Sequence, residues 1–548
     1  MKSKYAVGLD FGTLSVRALL VDIYSGEEVS TCTFDYPHGV MERNTPAGTW
    51  ALQDPQDYLD GLREVIRGVT QASGVSAEEI VGIGIDVTAT TMIAVDEQGN
   101  PLCMSDEFRD EPQAYIKLWK HHGAEAEAEQ ILKLAQERQE DWLKYYGGVV
   151  SSEWMLPKIL ETLHFAPKVY EKARFMEVTD WLVMRLTGKE VRAACGAGYK
   201  LFYRHGQGYP SREFLRELDP RLENLVEEKL NAPLLNVGDR AGELIPEMAD
   251  LLGLLPGTPV AAGFIDAHAS VLAAGITSPG TMMIIVGTSS CHLLLSEKEI
   301  PVPGVGGLVY NGILPGYYGY EAGQSCVGDH FRWFTHNCVP AEYHREAEEK
   351  GLDLHQLLTE KLHGYRAGDS GLLALDWFNG VRTPLADFDL NGLILGMNLM
   401  TKPEEIYLAL IEATAYGTRW ILEQFEETGV HIDNIVLSGG IPAKNRMLVQ
   451  VYSDVCHREI RLCGTSNASG YGAALVGISA ASPEYTGYTS IAEITGKLGK
   501  KGEEVFTPDP QNAKVYDGLY REYRKLTEYF GNGQNDVMKY LNTLRKER

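Results

Sequence analysis

The chain has 548 residues, 44% of them hydrophobic, and 75 acidic against 50 basic side chains give it a formal net charge of −25. That length is more than one hydrophobic core organises and suits two large domains. The acidity, with no basic stripe, excludes nucleic acid as a partner, and no run approaches the roughly 18 apolar residues of a membrane span.

Two apolar strands are predicted first, over 5–9 and 16–21, joined by the turn Asp10-Phe11-Gly12-Thr13-Leu14-Ser15. Asp10 interrupts the apolar run before a secretion signal could form. The eight cysteines are scattered, with no C-x-x-C pair, so reduced thiols in the cytoplasm are expected. A third strand is predicted near 28–36. A helix is predicted over 55–72: Asp54 caps it, Pro55 sits in its first turn, and Tyr58, Leu62, Val65, Ile66 and Val69 share one face. Residues 81–85 form a buried strand that ends at Asp86-Val87-Thr88-Ala89-Thr90-Thr91, and 92–96 form the next strand. The stretch 112–188 is read as helical insertions, with one amphipathic helix over 125–144 carrying Ile131, Leu132, Leu134 and Trp142.

Further along, the apolar strand 259–262 leads through Gly263 to Asp266, ahead of a small-residue helix over 267–274. A hairpin follows at 283–295, then a Gly/Pro-rich segment over 301–323 and a long helix over 403–426. The strand 434–437 breaks into Ser438-Gly439-Gly440. The small-residue helix over 466–478 suits close packing at a hinge or core. The tail, 509–548, reads as a polar helix whose tyrosines Tyr516, Tyr520, Tyr523 and Tyr529 cover a domain flank.

One turn occurs twice. Gly12-Thr13-Leu14-Ser15 returns as Gly287-Thr288-Ser289-Ser290, 275 residues on, about half the chain. A repeat of that period means two similar domains. Glycine permits close backbone approach, and Thr and Ser add hydroxyl and N–H donors. Two such turns facing across a cleft hold a polyphosphate. Only the first copy carries an acid, Asp10; its counterpart is Ile285. One asymmetric carboxylate implies one Mg²⁺ and one nucleotide.

These motifs resemble a known family. Asp10-Phe11-Gly12-Thr13, Gly263-Phe264-Ile265-Asp266-Ala267-His268, Gly287-Thr288-Ser289 and Ser438-Gly439-Gly440 with Asn445 occur in the order seen in the FGGY carbohydrate kinases. The resemblance covers nearly the whole chain. It implies an α/β fold of two actin-like (ribonuclease-H-like) domains flanking a catalytic cleft. Residues 1–276 would be the sugar-binding domain with helical insertions, and 277–548 the nucleotide-binding domain. Within the family, Tyr145-Tyr146-Gly147-Gly148, the segment from Ser151 to Lys158 and the segment from Tyr318 to Ser325 resemble bacterial members that phosphorylate L-ribulose at its 5-hydroxyl with ATP, in L-arabinose catabolism.

A sugar hydroxyl is a poor nucleophile at neutral pH, and a carboxylate within hydrogen-bond reach can take its proton. Asp266, at a strand end, is the candidate, and the resemblance assigns the base there; an N-cap role for the following helix is compatible with it. Asp10 would hold Mg²⁺ through water, with Asp266 beside it. The resemblance places ATP against Gly12, Thr13, Gly287, Thr288 and Ser289, and the adenosine against Gly439, Gly440 and Asn445. Lys200 and Glu321, the latter from the Gly-rich loop, would meet the sugar hydroxyls. Ala89 and Thr90 stand where relatives carry Arg-Glu or Met-His, leaving room for a differently configured ketose. Trp119 packs against the sugar or the core. His121 replaces the acid of a Trp-x-Asp motif, so an acidic sugar contact there is in doubt. The competing readings are a kinase for D-ribulose, xylulose or ribitol, an actin-like ATPase, and an inactive sugar-binding regulator; the retained Asp10 and Asp266 weigh against the last. The expected partner is a small ketopentose, with no nucleic acid or membrane, and a homodimer is compatible with the chain.

Overall fold

The computed structural model describes residues 4–45 and 48–546. The chain opens as an antiparallel meander of β1 (Tyr5–Phe11), β2 (Ser15–Asp22) and β3 (Glu28–Asp35). The helix α1 (Pro55–Ser73) begins where Asp54 accepts the Gln56 N–H and stops at Gly74, whose φ of 69° only glycine adopts freely. It returns the chain so that β4 (Ile80–Val87) lies parallel to β1, Gly8 opposite Gly84 and Asp10 opposite Asp86. β5 (Pro259–Ala261) and the antiparallel edge Arg240–Glu243 complete the sheet, and β6 (Phe264–Ile265) extends along the end of β4 before α2 (Asp266–Ala273).

The second half repeats this order. β7 (Thr281–Val286), β8 (Ser290–Ser296) and β9 (Tyr318–Gln324) run antiparallel; β10 (Asn434–Ser438) and the strand Ile460–Cys463 lie parallel to β7; Lys501–Phe506 closes the edge antiparallel. Two sheets with one topology make a two-domain, actin-like α/β fold.

Four expectations change in detail. The stretch 112–188 is not wholly helical: Ile116–Lys117 and Arg174–Glu177 join Met41–Thr45, Gly48–Gln53 and Met92–Val95 in a second, five-stranded sheet. The helix expected over 125–144 stops at Glu137, because Gln139 turns to φ 54° and a tight turn, Asp141–Tyr146, follows. Trp142 is thereby packed among Tyr146, Phe202 and Phe214. The Gly/Pro-rich segment carries two strands, Gly307–Tyr310 and β9, so Glu321 stands on a strand and not on a loop. The tail is two helices, Pro510–Gly531 and Val537–Lys546; residues 547 and 548 lie outside the described residues. Its Tyr516, Tyr520 and Tyr523 are buried and reach Glu412, Glu423 and Asp376, whereas Tyr529 is exposed.

Side-chain alternation decides how the first sheet is covered. Val7, Leu9 and Phe11 of β1, with Ile83, Ile85 and Val87 of β4, form one core with α1. The opposite face presents Gly8 and Asp10, and Gly82, Gly84 and Asp86. Onto that face packs α3 (Ala468–Ala480), the small-residue helix of the C-terminal half. Its backbone touches strand backbone: a Cβ on Gly84 would lie 1.9 Å from the Ala473 carbonyl oxygen, and one on Gly8 would lie 2.0 Å from that of Gly470. The same helix meets α2, where a Cβ on Gly472 would lie 2.0 Å from the Ala269 carbonyl oxygen.

Gly84→Ala is therefore expected to destabilise the protein by about 1–3 kcal/mol or more, since the clash is with backbone and no rotamer relieves it. Denaturant unfolding measures this, and an unchanged midpoint would contradict the contact.

Candidate active site

The face that packs against α3 ends in three carboxylates. Asp10 and Asp86 leave the same face of adjacent parallel strands, two residues beyond the paired glycines. Asp266 opens α2, and its Oδ1 accepts the Ala267 N–H at 2.7 Å. The N-terminal end of α3 is drawn to the same place: Gly470 lies against Asp10, and Arg17 donates to the Asn467 side chain at 2.8 Å. Burial pushes the Asp266 carboxyl up to about 7, helped by the charge of Asp10. Asp10 is raised by burial, with Asp86 and Arg17 pulling the other way. Asp86 is fully buried, no donor among the described residues reaches either of its oxygens, and burial with Asp10 and Asp266 beside it holds its carboxyl well above the ordinary range.

The two Gly-Thr turns are built differently. Gly12 N–H donates to the Ser15 carbonyl at 2.9 Å, while the Thr13 carbonyl accepts Gln53 and its hydroxyl accepts Trp119 Nε1 at 3.1 Å. The carbonyls of Gly287 and Thr288 accept the N–H groups of Gly328 and Val327, each at 2.9 Å, and Thr288 is exposed. Gly439, at φ 110°, presses on the Val286 carbonyl, where a Cβ would come within 2.2 Å; glycine is required there. Gly440 opens a short helix behind it. Asn445 is spent inside the protein: its Oδ1 accepts Leu448 N–H as a helix cap and its Nδ2 donates to Thr359.

Lys200 and Glu321 come together. Lys200 Nζ donates to Glu321 Oε1 at 2.6 Å, and His268 Nε2 lies 3.2 Å from Oε2. Cys195 Sγ lies 3.1 Å from His268 Nδ1. Lys200 and His268 hold Glu321 well below the usual carboxylate range. Of residues 86–91, Ala89 is half-buried and the others are buried; the Thr90 hydroxyl donates to the Ala89 carbonyl at 2.7 Å. His121 is buried, with Glu161 on Nε2 and the Ala51 N–H on Nδ1, and burial lowers it to about 4. It is a core residue.

Sequence reading passed over Asp86 and His268. A signal for the first was present: Ile83-Gly84-Ile85-Asp86 repeats the pattern of Val7-Gly8-Leu9-Asp10. Among the described residues no group of three or more His, Cys, Asp or Glu side chains is spaced to hold a metal ion unaided, and no helix is long and apolar enough to cross a membrane.

The N-terminal domain of the FGGY family of carbohydrate kinases matches residues 5–273, and the C-terminal domain of that family matches 282–481. The chain is 48% identical to a ribulokinase of Geobacillus thermodenitrificans, over 99% of this chain and 97% of the relative. It is 47% identical to a ribulokinase of Halalkalibacterium halodurans, over 100% of this chain and 98% of the relative. The crystal structure of a gluconate kinase from Lactobacillus acidophilus superposes with a TM-score of 0.79 at 18% identity, covering 97% of this chain and 99% of that one. At that identity the likeness concerns the fold alone.

Asp86→Asn, whose amide can donate to Asp10, is expected to raise the melting temperature of the ligand-free protein at pH 8 and to matter less at pH 5. Carboxyls raised in the folded state favour folding below their unfolded value of about 4. That contribution is lost as pH rises through the folded values, about 7 for Asp266. Melting curves in chelator that match wild type at both pH values would refute a strained carboxylate cluster.

Proposed function

We propose that this chain, which belongs to the FGGY family of carbohydrate kinases and is an ATP:sugar phosphotransferase, phosphorylates L-ribulose at its 5-hydroxyl. The products are L-ribulose 5-phosphate and ADP, and the place of the reaction is L-arabinose catabolism in the cytoplasm. All eight cysteines are free, which suits a reducing compartment. Substrate identity is supported by full-length relatives named ribulokinase. The observation that carries the chemistry is Asp266: a buried carboxylate at the head of a helix, brought near neutrality by its surroundings.

Asp266 acts as general base. Its Oδ1 is fixed by the Ala267 amide, so Oδ2 is left to accept the proton of the 5-hydroxyl as the phosphoryl group arrives. Lys200 donates to the sugar hydroxyls and Glu321 accepts from them; without sugar the two satisfy each other. Ala89, small and half-buried in its loop, and Trp119 bound the pocket. Thr90 acts through its backbone, since its hydroxyl is turned inward. The amides of Thr13, Thr288 and Ser289 approach the phosphates from the two domains; Gly12 and Gly287, whose N–H groups close their own turns, let the backbone come near, and Gly439 and Gly440 let the adenosine lie against backbone. Residues 1–276 carry the sugar side and 277–548 the nucleotide side.

The acids fit Mg²⁺. Asp86 has two buried oxygens that no donor among the described residues reaches, and Asp10 and Asp266 add hard oxygen ligands beside it. Because Mg²⁺ takes one or two carboxylates and fills its shell with water and phosphate, three acids need not converge on one point. When bound, the cation would neutralise phosphate charge during transfer. Asp10 would hold it through water, with Asp266 alongside.

ADP release is the test of substrate. Of L-ribulose, D-ribulose, D-xylulose and ribitol, L-ribulose is expected to give the highest kcat/KM; stimulation by none of them would sink the reading.

Asp266→Asn should bind both substrates with little change and lose about 10²–10⁴-fold in kcat. In the wild type, kcat/KM should fall about tenfold per pH unit below pH about 7, because the base must be deprotonated. Near-normal turnover in the variant, or a flat profile down to pH 5, counts against Asp266 as base.

A further inference from the structure

The segment Ser151–Lys158 ends in a buried cation that the proposed chemistry does not use. Lys158 lies on the helix Met155–Phe165 and is 0% exposed. Its Nζ donates to the Thr90 carbonyl at 2.7 Å and to the Leu118 carbonyl at 2.8 Å. Lys117, equally buried, pairs with Glu161 at 2.6 Å; no carboxylate among the described residues pairs with Lys158 in this way. Burial, with the charge of Lys117 nearby, pushes Lys158 down to about 7. A neutral amine still offers two N–H groups, so both carbonyls keep a donor in either protonation state. A buried ammonium without a counter-ion is costly, and a purely apolar side chain would fill the same space at lower cost.

What the two carbonyls belong to gives the lysine its role. Thr90 holds φ 53°, a left-handed conformation that a non-glycine residue adopts only when its surroundings enforce it. Its hydroxyl folds onto the Ala89 carbonyl, and the hydroxyls of Thr88 and Thr91 bond to each other at 2.7 Å. The loop's threonine hydroxyls are thus spent within the loop, with Ala89 its half-buried member. Leu118 precedes Trp119, whose indole N–H reaches Thr13 in the first Gly-Thr turn. One ammonium therefore ties the Ala89–Thr90 loop to the segment that braces the phosphate turn.

We propose that Lys158 is a positioning residue: its two hydrogen bonds set the separation between the Ala89–Thr90 loop and Trp119, and with it the fit of the sugar against the phosphate turn. This rests on the reading of that loop as part of the sugar pocket.

Steady-state kinetics of wild type and Lys158→Met, with L-ribulose and ATP varied separately and melting temperatures recorded, tests it. Removal of both donors is expected to raise the KM for L-ribulose about 10- to 100-fold, the scale of a small misplacement at a binding surface, with little change in the KM for ATP. Lys158→Arg, which keeps charge and donors, should recover part of that loss. A lower melting temperature with both KM values unchanged, or an equal rise in both, overturns the proposal. Should Lys158→Met fail to fold, Lys158→Gln carries the same decision: KM raised for the sugar alone supports positioning, and any other pattern overturns it. Wild-type enzyme inactive on L-ribulose would overturn the sugar reading and this proposal together, whereas an active wild type with an unaffected variant overturns this proposal alone.

Discussion

Backbone meets backbone where α3 lies on β1 and β4, and the site depends on that contact. Three strand glycines, Gly8, Gly82 and Gly84, remove the Cβ atoms that would hold a helix a further side chain's depth away. Because the strand period is two, the next residues on that face are Asp10 and Asp86, so the contact that seats the helix also aims two carboxylates at its N-terminal end. Through Gly472 and Ala269 the same helix seats α2, which opens on Asp266. The helix that does this belongs in sequence to the other half of the chain, so the acidic cluster exists only when both halves are folded together.

The polar groups around the cleft divide into satisfied and unsatisfied sets. Lys117, Glu161 and His121 form a closed network with every charge answered: Glu161 is held low, at about 2, mainly by Lys117, although burial opposes it. Lys200, Glu321 and His268 form another, and this one crosses between the halves: Lys200 and His268 come from the first and Glu321 from β9 of the second. The cluster of Asp10, Asp86 and Asp266 is the opposite case. Asp10 raises the proton affinity of both Asp86 and Asp266, and among the described residues no donor reaches Asp86. Buried carboxylates with raised proton affinity cluster at functional sites. The closed networks have their charges answered within the protein, and the open one leaves both Asp86 oxygens without a donor among the described residues.

Much of the fold was legible from local pattern. The two Gly-Thr turns lie half a chain apart, α1 has its Asp54 cap and one apolar face, and the small residues of 466–478 announced close packing. Each of these is set by residues near one another in sequence, where propensity and periodicity act. The misreadings share a cause as well. Residues 301–323 looked like a loop because of their glycines and prolines, yet sheet pairing with β8 makes a strand of Tyr318–Gln324. The helix over 125–144 was continued past Gln139 because its amphipathic pattern runs on, and the left-handed break there is a tertiary outcome.

Side-chain commitments were decided only by the folded chain. The sequence by itself established the motifs, their order and two similar halves, and it singled out Asp10 and Asp266 as candidate acids. It could not say that Asn445 spends its amide on a helix cap, that Thr90 turns its hydroxyl inward, that His121 faces Glu161, or that Lys158 holds two distant carbonyls. Asp86 shows the boundary most clearly. Its pattern, Gly-Ile-Asp after an apolar residue, was written in the chain, but it stands beside Asp10 only because β4 pairs with β1 in a register that places it there. Register is a long-range property, fixed by which face must be buried against a helix nearly 400 residues away, and no local window contains it.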